Sequence, residues 1–99
     1  MPETVQCTGE YTVDFRIKQP SRAHEEAING HALANAKAEA ERKLNGWNDN
    51  PDGFKYELDH IDLINVETLD IDDEHDPIRG RSWKFDGRAH FKLCYKKLQ

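Results

Sequence analysis

Residues 48–59 place side-chain oxygens at the alternate spacing a hard cation such as Ca2+ favours. Asn48, Asn50 and Asp52 precede Gly53, and Asp59 follows. Three features separate this stretch from a calcium loop. The first ligand position holds Asn, which brings no charge. Lys55 puts a cation where an apolar residue belongs, and Asp59 is too short to replace the usual bidentate Glu easily. The residues beyond it read as strand instead of an exiting helix. The expectation is a turn that follows a helix stop at Gly46.

A second concentration of ligand atoms is "DIDDEHD", with Asp70, Asp72, Asp73, Glu74, His75 and Asp76. Carboxylates of this kind bind hard cations when a scaffold fixes them. Within a polar connection they stay solvated, so no metal site is assigned to them. They lie in the acidic segment 57–76, which holds nine acids and no Lys or Arg; residues 77–99 hold seven bases and one acid. Adjacent segments of opposite charge suggest two strands whose outward faces attract each other. The other use of such a segment is as a surface for a basic partner. The contact residues of that surface are Asp70, Asp72, Asp73, Glu74 and Asp76.

The histidines are His24, His31, His60, His75 and His90. His24 and His31 are seven apart, which does not suit the i, i+4 spacing of a helical metal pair. His60 and Asp62 form a weak ligand or acid–base motif on a strand, and a surface histidine is the simpler account. The chain has no Gly-x-Ser-x-Gly, no glycine-rich phosphate loop and no Cys-x-x-Cys. His90 and Cys94 share a strand face but lie about 13 Å apart at 3.3 Å per residue, too far for direct activation. The two cysteines, Cys7 and Cys94, could meet if the first and last strands were neighbours, but in a reducing compartment they are expected as free thiols. No catalytic residue and no cofactor are expected, and a weak metal-dependent enzyme is the remotest alternative.

The elements that must carry these residues follow from periodicity. In "YTVDFRIK", Tyr11, Val13, Phe15 and Ile17 alternate with polar residues, as in a strand with one buried face. From Ser21, which suits an N-cap, to about Asn45 the chain is rich in Ala, Glu, Lys, Arg and Leu. A stripe of Ile28, Ala32, Leu33, Ala36, Ala40, Leu44 and Trp47 is expected to face a sheet. Ala23, Ala27, Ala34 and Ala38 form a second, small stripe toward solvent. In "FKYELDHIDLINVETLDI", Tyr56 and Leu58 share one parity; Ile61, Leu63, Leu69 and Ile71 take the other. That switch predicts a bulge near His60. Residues 70–80 read as a polar connection. The final strand, "RSWKFDGRAHFKLCYKK", alternates strictly from Trp83 to Tyr95.

The expected fold is α+β in the order β-α-β-β, one long helix packed on one face of a three-stranded, mainly antiparallel sheet. Ninety-nine residues suit a single domain, with residues 1–9 as a loose N-terminal extension. The start carries no basic and apolar leader, and no apolar run approaches the roughly 18 residues of a membrane span, so a cytoplasmic protein is expected.

This order, with "PSRAHEEAI" opening the helix and "WKFDGRAHFKL" in the last strand, resembles the dodecins, small flavin-binding proteins that assemble into closed shells. The resemblance implies a sheet-and-helix protomer that self-associates. The chain departs from the dodecins in its longer helix, its Asn48–Gly53 loop and the lack of a second-strand Trp on which flavin stacks; Trp47 and Trp83 lie elsewhere.

The expected function is a small non-catalytic interaction module, a homo-oligomer that engages a protein partner through its acidic surface. The alternative is a small-ligand binder with an aromatic pocket of Trp83, Phe85 and Tyr95 between subunits. The basic face of Lys84, Arg88, Lys92 and Lys96 is a weaker pointer to nucleic acid, because the acidic strand beside it neutralises much of its field.

Overall fold

A computed structural model describes residues 4–49, 53 and 55–98. It contains β1 (Val5–Gln19), α1 (Glu25–Asn48), β2 (Tyr56–Asp76) and β3 (Gly80–Lys97). The sheet order is β1-β3-β2 and both pairings are antiparallel, so the strictly alternating last strand sits at the centre. The helix covers one face of this open sheet, giving the expected α+β fold. The longest dimension is 62 Å. A 24-residue helix spans about 36 Å. The sheet therefore outruns its helix, and the β2–β3 hairpin end projects as an arm.

The core lies between α1 and the sheet. On the helix, burial falls at Ala32, Ala36, Ala40 and Leu44, an i, i+4 ridge, with Ile28 half-buried at its start. Three successive alanines let the backbone approach closely, and the bulk comes from the sheet: Phe15, Ile17, Trp83, Phe85, Phe91 and Leu93. Leu33, assigned to the sheet-facing stripe, is 45% exposed. It lies on the flank of the ridge, over Leu58 and Ile61. Ala27, Ala34 and Ala38 face solvent as expected, whereas Ala23 is half-buried against the Phe15–Trp83 cluster.

Gly87 is required by this packing. A Cβ there would stand 2.6 Å from Phe85 Cε1 and 2.8 Å from Phe15 Cζ, because both rings lean over the bare backbone. At the other end Trp47, Tyr56 and Tyr95 form an edge-to-face trio with centroids 5.3–6.0 Å apart. Lys43 lies 4.3 Å over the Tyr11 ring and ties the last helical turns to β1.

The helix differs from expectation at both ends. It starts after His24, which makes no side-chain cap, instead of after Ser21, and it runs through Gly46 to Asn48. The Ser21 carbonyl instead accepts from Gln19 Nε2 at 2.6 Å, so Ser21 belongs to the turn. Asn48 clamps the exit: its Nδ2 donates to the Tyr56 carbonyl at 2.9 Å and its Oδ1 accepts from the Tyr56 amide at 2.8 Å. The Asn50 and Asp52 part of the calcium-like pattern lies outside the described residues. Lys55 Nζ donates to the Asn48 carbonyl, so the cation that argued against Ca2+ serves the turn.

The bulge expected near His60 is present, between Leu58 and His60. Two more follow, between Leu63 and Asn65 and between Thr68 and Asp70, so β2 carries an extra residue at Asp59, Ile64 and Leu69. A fourth irregularity lies in β1 between Cys7 and Glu10, where Thr8 Oγ1 accepts from the Leu93 amide at 3.2 Å. Residues 70–80, read as a connection, are strand except for the turn at 77–79. Asp76 builds that turn by accepting from the Ile78 and Arg79 amides at 2.8 and 3.3 Å. Polarity suggested a loop here; pairing with the basic strand supplies the order that polarity does not.

Candidate functional site

The sheet face away from α1 carries most of the chain's chemistry. Residues directly opposite one another share a face, so the register lays this surface out in rows across β1, β3 and β2. Glu10, Lys92 and Asp62 make one row, Asp14, Arg88 and Glu67 a second, and Arg16, Asp86 and Asp70 a third. Acid and base alternate in the first two; in the third, Asp86 and Asp70 stand side by side. Arg88 Nε donates to Asp14 Oδ1 at 2.8 Å and Arg16 Nε to Asp86 Oδ1 at 2.6 Å. Through these hydrogen bonds the Asp14 carboxyl is held below its ordinary pKa, while Arg16 and Arg88 are raised.

His90 joins all three strands. One ring nitrogen contacts Glu10 on β1 at 3.1 Å and the other contacts Glu67 on β2 at 3.0 Å. Those carboxylates, Glu67 first, raise its pKa by hydrogen bonding to the charged form. The pairing of the acidic and basic segments expected from sequence is seen in the register, with Glu57 opposite Lys96, Asp62 opposite Lys92, Glu67 opposite Arg88 and Asp72 opposite Lys84.

One row differs in kind. Cys7, Cys94 and His60 stand side by side, and the cysteines form a disulfide with Cα atoms 4.0 Å apart. This corrects the expectation of free thiols. Tyr11 to Ile17 set an odd-numbered buried face on β1, which would point Cys7 at the helix and away from Cys94. The irregularity between Cys7 and Glu10 turns Cys7 to the open face. On β2 the extra residue Asp59 does the same for His60, which would otherwise follow Tyr56 and Leu58 inward. Asp59 then contacts His60 Nδ1 through Oδ2 and Lys96 Nζ through Oδ1 at 3.3 Å. The imidazole contact, and after it Lys96, holds the Asp59 carboxyl below its ordinary pKa.

The residues of the acidic surface lie along the projecting end of β2. Asp72 and Asp76 are half-buried, while Asp70, Asp73 and Glu74 are exposed. Asp72, Glu74 and Asp76 line a depression of about 400 Å³ together with Lys18, Arg79, Arg81 and Lys84. Asp73 stands opposite Trp83, on the other face. The five acids therefore do not form one patch.

The aromatic trio of the alternative reading is split. Trp83 and Phe85 stack at 5.8 Å inside the core, 1% and 3% exposed. Tyr95 belongs to the Trp47–Tyr56 group at the other end. Trp83 Nε1 is buried with no hydrogen-bond partner among the described residues, a polar donor enclosed by apolar packing. Sequence reasoning named Cys7 and His60 but missed that they meet; the parity switch near His60 was a signal for one, while Cys7 keeps the odd parity of Tyr11 to Ile17 and gave none.

No protein family, no curated protein and no solved structure gave a match to this chain. The likeness to the dodecins thus rests on element order and short stretches of sequence. No helix among the described residues is long and apolar enough to cross a membrane.

Proposed function

We propose that this chain is a non-catalytic interaction module that engages a basic protein segment through the projecting end of β2. Sheet order is the observation that carries this reading. The acidic strand is an edge and the basic strand is central, so a partner approaching from the β2 side meets carboxylates first. Beyond Trp83 the hairpin arm contributes nothing to either core cluster, yet it is kept long and charged. Exposed acids on an edge also discourage indiscriminate strand addition, and the three irregularities of β2 discourage it further.

Self-association belongs to the same reading. Leu33, Ile64, Leu69 and Ile71 are each 42–46% exposed on the helix and strand of the β2 side, and covering them would stabilise a small core.

Binding of the full chain to a lysine-rich peptide, followed by fluorescence anisotropy, tests the arm. Asp73→Lys with Glu74→Lys is expected to weaken binding by about tenfold at low salt and to leave the fold unchanged. Equal binding by that variant, or none by the parent protein, overturns the reading. Light scattering tests self-association, and a monomer across the micromolar range removes that part alone.

A further inference from the structure

The Cys7–Cys94–His60 row carries a second activity, independent of the acidic arm. We propose that the reduced chain binds one Zn2+ ion through the two Sγ atoms and the His60 imidazole, and that disulfide formation expels it.

The geometry comes first. One ligand atom from each of the three residues lies within 4.8 Å of the others. Zinc–sulfur bonds of about 2.3 Å and zinc–nitrogen bonds of about 2.0–2.1 Å put tetrahedral donor atoms roughly 3.5–3.8 Å apart. Small side-chain rotations reach that spacing once the sulfurs separate. Each ligand stands on its own strand, so the backbone of the whole sheet fixes the set.

The surroundings are those of a metal site. Asp59 occupies His60 Nδ1, which leaves Nε2 for the ion, and a carboxylate behind a ligating imidazole orients it and raises its basicity. Cys7 and His60 are exposed while Cys94 is buried, so an ion can enter from solvent and meet a sulfur sheltered from it. The charged neighbours on this face are Glu10 of β1, Lys92 and Lys96 of β3, and Glu57, Asp59 and Asp62 of β2. Four acids against two bases favour a cation. Two thiolates and one imidazole suit Zn2+ over the hard cations, and they leave a fourth position for water.

Local irregularities point the same way. Both flanking strands depart from regular pairing beside this row, and each departure turns a ligand onto the face of Cys94. Bulges that re-aim a side chain concentrate at functional sites.

The two states interconvert by balanced steps. A dithiol reductant passes two electrons and two protons to the S–S bond, giving two thiols on the chain and a disulfide on the reductant. Zinc then displaces both thiol protons into solvent and is coordinated by the neutral imidazole. Oxidation reverses the exchange: a disulfide oxidant takes two electrons from the thiolates and two protons from solvent, its S–S bond breaks to two thiols as the chain's S–S bond forms, and Zn2+ leaves.

Titration of the oxidised and the reduced full chain with Zn2+, and with Co2+ as its coloured substitute, tests this. Uptake of one ion by the reduced chain alone, with thiolate-to-cobalt charge-transfer absorption and tetrahedral d–d bands, is the expected result. Cys7→Ser should abolish the charge-transfer signature of a two-thiolate site. His60→Ala, an exposed change, should weaken binding by about tenfold or more, and Asp59→Asn by about 10–100-fold. Circular dichroism of each variant follows the fold in parallel. Absence of uptake by the reduced chain, folded or not, overturns the proposal. So does equal uptake by the oxidised chain, or binding by a folded His60→Ala variant as tight as the parent's.

Discussion

On the helix side of β3, Phe91 and Leu93 are sealed from water; on the open side, between and beyond them, Lys92 is exposed and Cys94 is bonded to Cys7. One strand thus serves two surfaces held by different forces. The helix side depends on volume and shape, so it is intolerant of small changes and indifferent to salt. The open side depends on charge in water, where single exposed pairs contribute little, and on one covalent link. The difference teaches where each kind of change will register: packing decides whether the chain folds, and the open face is left to carry chemistry.

The largest expected effect lies on the packed side. Phe91→Ala should destabilise the chain by about 3–5 kcal/mol in urea unfolding, since the ring is wholly enclosed. A loss under 1 kcal/mol would show that the helix is not seated as described. Next comes the covalent link: Cys7→Ser should cost about 2–4 kcal/mol, because the disulfide closes a separation of 87 residues in the unfolded chain. If that cost were absent, the two sides would rest on packing alone.

Gly87→Ala should cost about 1–3 kcal/mol by overpacking Phe15 and Phe85, although it adds one methyl group. A stabilised Gly87→Ala variant would mean that the rings yield easily. The smallest effect belongs to His90. Its folded-state pKa is raised, so its contribution is complete below the ordinary value of about 6.5 and fades as pH rises through the raised value. NMR titration should place His90 above the ordinary value, and Glu67→Gln should lower it more than Glu10→Gln. His90→Gln should remove that part of the stability–pH slope, and a slope of opposite sign would break the assignment.

Much of the packed side is legible in the sequence. Strict alternation in 81–97 gives the inward set of β3, and the four-residue spacing of Ala32, Ala36, Ala40 and Leu44 gives the ridge. The β2 side is legible only to its first bulge. Ile61 and Leu63 turn inward as expected, but the extra residue Ile64 sends Val66 inward next, and Leu69 falls at another bulge. Two further shifts cancel, so Ile71 faces as its parity suggests while Leu69 does not. These two bulges escape periodicity because apolar residues, Ile64 and Leu69, occupy them.

The candidate zinc row was hidden because the irregularity at Thr8 and Gly9 leaves no mark in the apolar pattern of β1. Parity alone sends Cys7 and His60 to the helix face and Cys94 to the open one. The helix start was missed for another reason: Ser21 is a good cap locally, but the chain must first cross from the end of β1 to bring Ile28 against the core. Long-range placement overrides the local signal.

The alanine ridge has a consequence for registry. Moved along its own axis by about one turn, 5.4 Å, α1 would present alanine where alanine already stands at two of three central contacts. The middle of the helix is therefore nearly blind to its own position. Alignment comes from the ends, where Ile28 meets the Trp83 cluster and where Leu44, Trp47 and the Asn48–Tyr56 clamp engage the far end of the sheet. The helix works as a smooth bolt between two catches, and substitutions at the catches should misalign it before they melt it.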